Sequence, residues 1–237
     1  MGNLKQKLKV AGMVALGLIA NVVPAVAGPF AAREYSSIDI MDGGAVPVKG
    51  SMTREYSEFP INENLKLWAW NDQSNKNQES KEIDVSLRAS KEILNGLEIG
   101  AELTYWDYPR AKFNDDIVIS ASAEYKKKIS SDLALETNLA VTRLLQYQNT
   151  KAGIEIIGEI KVPIKVNSNL TLGPYVMGAW HNNYFEGNGF AHFRPGVKAS
   201  LKIGDYGTLE SSFQKQFSQR SDTESINFGQ LVWNIPF

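Results

Sequence analysis

The chain has 237 residues, with 25 Lys and Arg against 26 Asp and Glu, no Cys, 19 Gly and 9 Pro. A charged fraction of 22% and a hydrophobic fraction of 43% exclude wholesale disorder. The net charge of −1 excludes a strongly basic nucleic-acid binder. The absence of Cys excludes disulfides, thiolate zinc sites and cysteine nucleophiles.

Residues 1–27 carry Lys5, Lys7 and Lys9 and no acid, then an apolar run from Val10 to Val23, Pro24, and Ala25-Val26-Ala27. A basic start, an apolar centre and small residues before Gly28 predict a secretory signal peptide cleaved there. The apolar run falls short of the ~20 residues of a spanning helix. Loss of the three Lys takes the net charge from −1 to −4. No second apolar run of ~18 residues occurs in 28–237, which excludes a helical membrane protein. Residues 28–62 are irregular, broken by Gly43-Gly44 and Pro47, and read as a periplasmic lead-in or a small plug.

From residue 63 the pattern has period two. In Ile83-Asp84-Val85-Ser86-Leu87-Arg88-Ala89 the odd positions are apolar and the even ones polar, and Leu97 to Leu103, Ile117 to Tyr125 and Val197 to Ile203 read alike. Successive side chains of a strand point to opposite faces, so each segment is a strand with one apolar and one polar face. Ten such segments fit, over 63–72, 80–90, 97–108, 115–127, 133–147, 152–164, 170–182, 189–203, 208–218 and 226–237. Their length suits a tilted crossing of a bilayer, which takes about 9–11 residues. Polar connections alternate with mostly shorter Asn-, Asp-, Ser- and Gly-rich turns, which predicts an antiparallel up-and-down transmembrane β-barrel. Ten strands are expected, with twelve (a strand pair added from 28–62) or eight as alternatives.

The polar faces would line the lumen. They carry Asp84, Arg88, Glu98, Glu102, Glu124, Lys126, Glu136, Glu155, Glu159, Lys161, Arg194, Lys198, Lys202 and Glu210. Near-equal numbers of acids and bases in a narrow interior predict a paired network and a lumen largely occluded by side chains, because an unpaired buried charge costs several kcal/mol. Trp68, Trp70, Tyr105, Trp106, Trp180, Tyr184 and Trp233 lie toward strand ends and are expected to form interfacial girdles. Arg143 and Lys215 fall on lipid-facing parity, and Pro174 and Pro195 fall inside strands.

The last segment ends Leu231-Val232-Trp233-Asn234-Ile235-Pro236-Phe237. With Leu231, Trp233, Ile235 and Phe237 on one face, it resembles the C-terminal signature of bacterial outer-membrane β-barrel proteins, although Pro236 departs from the pattern. The resemblance covers 63–237 in architecture and matches no subfamily. It implies location in a bacterial outer membrane and recognition of the final strand by the barrel assembly machinery and periplasmic chaperones. It further implies lipid and lipopolysaccharide as surroundings, with no nucleic-acid partner.

His181 and His192 are the only histidines. A hairpin centred near Glu186-Gly187 would set them opposite each other at the outer mouth, with Val176 opposite Val197 and Leu172 opposite Leu201. Close together they could share a metal, though two polar residues at a wet mouth is the simpler reading, and neither a metal site nor a cofactor is assigned. Outer-membrane lipid A deacylases and omptin-type proteases offer an enzyme alternative, but Ala191-His192-Phe193-Arg194 has Arg where a serine would be wanted, and phosphate-loop, H-E-x-x-H and G-x-S-x-G motifs are absent. The expected function is therefore a non-enzymatic, structural or porin-like barrel that passes at most small polar solutes. A surface adhesin or receptor acting through its loops is the other alternative.

Overall fold

The computed structural model describes residues 30–36, 52–74, 81–107, 116–145, 152–184, 187–219 and 225–236. In chain order the strands are β1 (Phe30–Ser36), β2 (Met52–Asn62), β3 (Leu65–Ser74), β4 (Lys81–Leu94), β5 (Leu97–Asp107), β6 (Asp116–Lys128) and β7 (Ala134–Leu145). They continue with β8 (Gly153–Lys161), β9 (Ile164–Lys165), β10 (Leu170–Tyr184), β11 (Gly187–Lys202), β12 (Thr208–Ser218) and β13 (Ile226–Pro236). The signal peptide and the terminal Phe237 lie outside the described residues.

Strands adjacent in the chain pair antiparallel, β1 pairs β13, and β10 pairs both β8 and β11, so the sheet closes into a ring. Twelve strands form that ring. The short β9 pairs β10 beyond the end of β8, where Val162 and Pro163 interrupt the strand. Proline has no N–H to give the ladder, and the break is bridged by Val162 N–H donating to Pro174 O (3.0 Å) and Ala134 N–H to Pro163 O (3.1 Å). The pairing of β8 with β10 is thus already interrupted where Pro174 enters β10. Pro195 sits in β11 opposite Val176.

The ten-strand expectation gives way to twelve because β1 and β2 belong to the wall. Residues 30–36 and 52–62 are therefore not a lead-in or plug. Their outward positions include Arg33, Glu55 and Ser57, so the apolar/polar alternation that marks the other strands is interrupted in them.

One end of the barrel carries tight turns. At Asn95-Gly96, Gly96 adopts φ 79°, the left-handed geometry that a two-residue hairpin needs. Asn62 and Asn167 accept hydrogen bonds from backbone N–H groups of Asn64 and of Asn169 and Leu170. The other end carries the connections 37–51, 75–80, 108–115, 146–152, 185–186 and 219–225. These are called below the turn end and the loop end.

The outer face is apolar over most of its circumference: Leu87, Leu103, Ile119, Leu139, Val197 and Phe213 are all exposed. So broad a band of exposed apolar side chains belongs against lipid rather than water. Leu231, Trp233 and Ile235 share that outer face, whereas Val232 and Asn234 turn inward. Arg143 and Lys215 face outward near the loop end without a register shift in their own strands. The Lys215 ammonium lies 4.7 Å from the Phe217 ring centroid.

Candidate functional site: the lumen

Strand alternation and the pairing register set all fourteen expected lumen charges on the inner face. Arg88 faces Glu102, Glu98 faces Glu124, and Lys126, Glu136 and Lys161 lie in one directly opposed row. They do not form a single network. In the turn-end half, pairs are local: Arg88 to Glu124 (2.8 Å), Lys161 to Glu159 (2.6 Å), Lys198 to Glu210 (2.6 Å) and Lys66 to Glu58 (2.9 Å), every one of them partly exposed. Glu102 accepts from the Thr104 hydroxyl at 2.9 Å. Lys126 and Lys202 are exposed at the turn end.

In the loop-end half the inner face is buried. Glu155 and His181 are direct neighbours on β8 and β10, with Oε1 and Nε2 2.9 Å apart, and the Tyr184 ring lies 5.3 Å from that of His181. Arg194 donates from Nε to Gln216 Oε1 at 2.7 Å and lies over Phe228. Next along the ring, over β12, β13, β1 and β2, Glu34 accepts from Arg54 Nη1 (2.8 Å), Tyr56 Oη (2.7 Å) and Gln230 Nε2 (3.1 Å), and Gln214 donates to Gln230 at 2.6 Å. Asp84 and Asp116 are buried beside Trp106 in the register. This half is capped where Gly153 allows close backbone approach: a methyl group there would run into the backbone of Asn183 and Tyr184. Asn183, at φ 55°, donates from Nδ2 to Ala152 O at 2.8 Å.

Two expectations are corrected. His181 and His192 are not opposite each other: His181 faces Gly189, His192 faces Ala179, Val176 faces Pro195 and Leu172 faces Ala199. Tyr184 pairs Gly187, which centres the hairpin closer to β10 than expected, and a bulge follows Ala179. The partner of His192 shifts by two positions and, across the bulge, that of His181 by three, while both side chains keep the inner face. Both histidines are buried, and neither ring nitrogen of fully buried His192 has a hydrogen-bond partner among the described residues. Among the described residues no group of three His, Asp or Glu is placed to hold a metal ion.

The aromatic girdles are the second correction. Trp68, Trp70 and Trp106 face inward, paired in register with Glu58, Tyr56 and Asp116. Trp70 stacks on Tyr56 at 6.0 Å with the Arg54 guanidinium 5.6 Å from its centroid. Tyr184 is buried inward as well, whereas Tyr105, Trp180 and Trp233 face outward, as girdle residues do.

Sequence reasoning missed Glu34, Arg54, Gln214, Gln216 and Gln230. The three glutamines alternate with outward Phe213, Lys215, Phe217 and Leu231, so counting neutral amides along with charges would have found them.

No protein-family model and no curated protein sequence matches this chain. Among solved structures it is similar to the KdgM porin (TM-score 0.58, 11% identity, covering 88% of this chain and 99% of that one). It is similar also to the NanC porin (0.56, 8%, 88% and 98%) and to LpxR from Salmonella typhimurium (0.56, 9%, 88% and 100%). At such identities the likeness is one of fold: that of bacterial outer-membrane β-barrel proteins, channels and an LpxR among them.

Proposed function

We propose that this bacterial outer-membrane β-barrel is a porin-like protein whose lumen opens as a hydrated vestibule at the turn end and is occluded by side chains at the loop end, so that at most small polar solutes pass. The observation that carries this reading is the burial of polar lumen residues at the loop end. His192 and Gln216 have 0% of their surface exposed and Asp84 1%, which leaves no water column beside them. The proposal sets the turn end at the periplasm, since short periplasmic turns are usual for this fold. Single-channel recording in planar bilayers tests the proposal. Brief, small-amplitude events or none are expected, and large steady currents would refute the occlusion. Substituting Arg194 and Gln216 together with Ala should raise conductance several-fold, since these bonded neighbours on β11 and β12 are among the buried side chains of the occluded half.

A non-enzymatic role is part of the proposal. The Glu155–His181 pair has the form of a carboxylate orienting an imidazole, but both side chains are buried at the level where the lumen is closed. Changing His181 and His192 to Ala should leave lipid A composition and surface proteolysis unaltered; loss of either activity would favour the enzyme alternative.

A further inference from the structure

The outward face of β1 to β3 is unlike the rest of the wall. From mid-wall toward the loop end, alternation sets Arg33, Thr53, Glu55, Ser57, Ala69 and Asn71 on the outside, with apolar Phe59, Ile61 and Leu67 continuing that face toward the turn end. Arg33 donates to Glu55 Oε1 from Nη2 at 2.6 Å and from Nε at 3.2 Å, with side chains 68% and 52% exposed. Every other ion pair named above points inward. The row of directly opposed residues climbs from Trp233, close to the turn end of β13, through Arg33, Glu55 and Asn71 to Ile83, close to the loop end of β4. The ion pair therefore sits between the two rims, and the guanidinium turns along the wall to Glu55 instead of toward either rim. An Arg facing lipid at the bilayer midplane destabilises a barrel by about 2–4 kcal/mol, so this seam is a poor lipid contact and a good protein contact.

We infer that the seam is the contact face of a two-fold symmetric dimer of this chain. The argument is charge complementarity. A two-fold axis parallel to the barrel axis, passing between β1 and β2, sets Arg33 of one copy against Glu55 of the other and Glu55 against Arg33, so the patch is complementary to itself, as an isologous interface requires. Ser57 and Ala69 are directly opposed and small, which lets two walls approach closely, and Thr53 and Asn71 add polar surface to the same face. Exposed Leu231 and Trp233 on one flank and Leu87 on the other give the apolar margin that seals the seam.

The absence of Cys makes the test clean. Full-length protein carrying the single substitution Ser57→Cys, or Leu139→Cys on the far wall as control, is oxidised in intact outer membranes after heat-modifiable migration has shown each to be folded. Ser57→Cys should give a disulfide-linked species of twice the chain mass, at a yield at least about tenfold above the control. Adding Arg33→Glu should place like charges across the seam and cut that yield by about tenfold, and adding Glu55→Arg as well should restore it. Equal yields from Ser57→Cys and Leu139→Cys would overturn the inference. So would a linked species of any other mass, or a charge reversal without effect.

Discussion

The two halves of the lumen are lined by the same residue types and hold them in opposite environments. At the loop end Glu155, His181, Arg194 and Gln216 are removed from water. At the turn end Lys198 keeps 40% of its side-chain surface and Arg88 32%. The difference lies in the neighbours. Trp70, Trp106, Tyr184 and Phe228 fill the space between polar groups at the loop end, whereas around the turn-end pairs the larger Trp68 and Tyr175 are interspersed with small inward residues, Ser122, Ala140 and Gly196. A polar lumen is therefore not in itself a wet one: burial follows from the bulk interleaved with the charges.

That contrast can be broken by mutation, read as equilibrium unfolding in lipid vesicles. The largest effect is expected from Glu34→Ala, which removes a buried carboxylate bonded to Arg54, Tyr56 and Gln230 and should cost about 3–5 kcal/mol. Glu155→Ala removes the carboxylate bonded to the His181 ring at the loop end and should cost about 1–3 kcal/mol. Lys198→Ala removes an ion pair of similar length from the hydrated half and should cost no more than about 1 kcal/mol, because solvent screens it. The smallest effect is expected from His192→Leu, which replaces a buried ring with no hydrogen-bond partner among the described residues by an apolar side chain and should be within about 1 kcal/mol of neutral. If Lys198→Ala proved as costly as Glu34→Ala, the division into a dry and a wet half would fail.

The sequence made the wall legible wherever one face of a strand was apolar. From β3 to β13 the alternation located the strands and sorted inner from outer residues, including Asp84, Arg88 and Glu155, because period two leaves no freedom once one face meets lipid. It did not reveal β1 and β2, since Arg33, Thr53, Glu55 and Ser57 interrupt the outward apolar set and leave only Phe59 and Ile61 to carry it in β2. The feature that hid them from pattern reading is the same seam inferred to meet a second copy. Pairing was less legible than facing. A two-residue shift of the β10–β11 hairpin moved His192 from opposite His181 to opposite Ala179 without turning either side chain outward. Depth was not legible at all: nothing in the alternation distinguishes Glu155, in the dry half, from Glu159, two inward positions away on the same strand and paired with a partly exposed Lys161.

The central claim, a lumen dry at one end and hydrated at the other, is tested most directly by thiol accessibility. Ser86 and Ser122 both face inward, Ser86 buried and bonded to Thr104 at 2.6 Å and Ser122 partly exposed in the turn-end half. Ser86→Cys and Ser122→Cys are near-isosteric single thiols in a chain with no other Cys. With a small water-soluble maleimide, Ser122→Cys should react at least about tenfold faster than Ser86→Cys. Equal rates would show water on both sides of the supposed occlusion and would contradict the account.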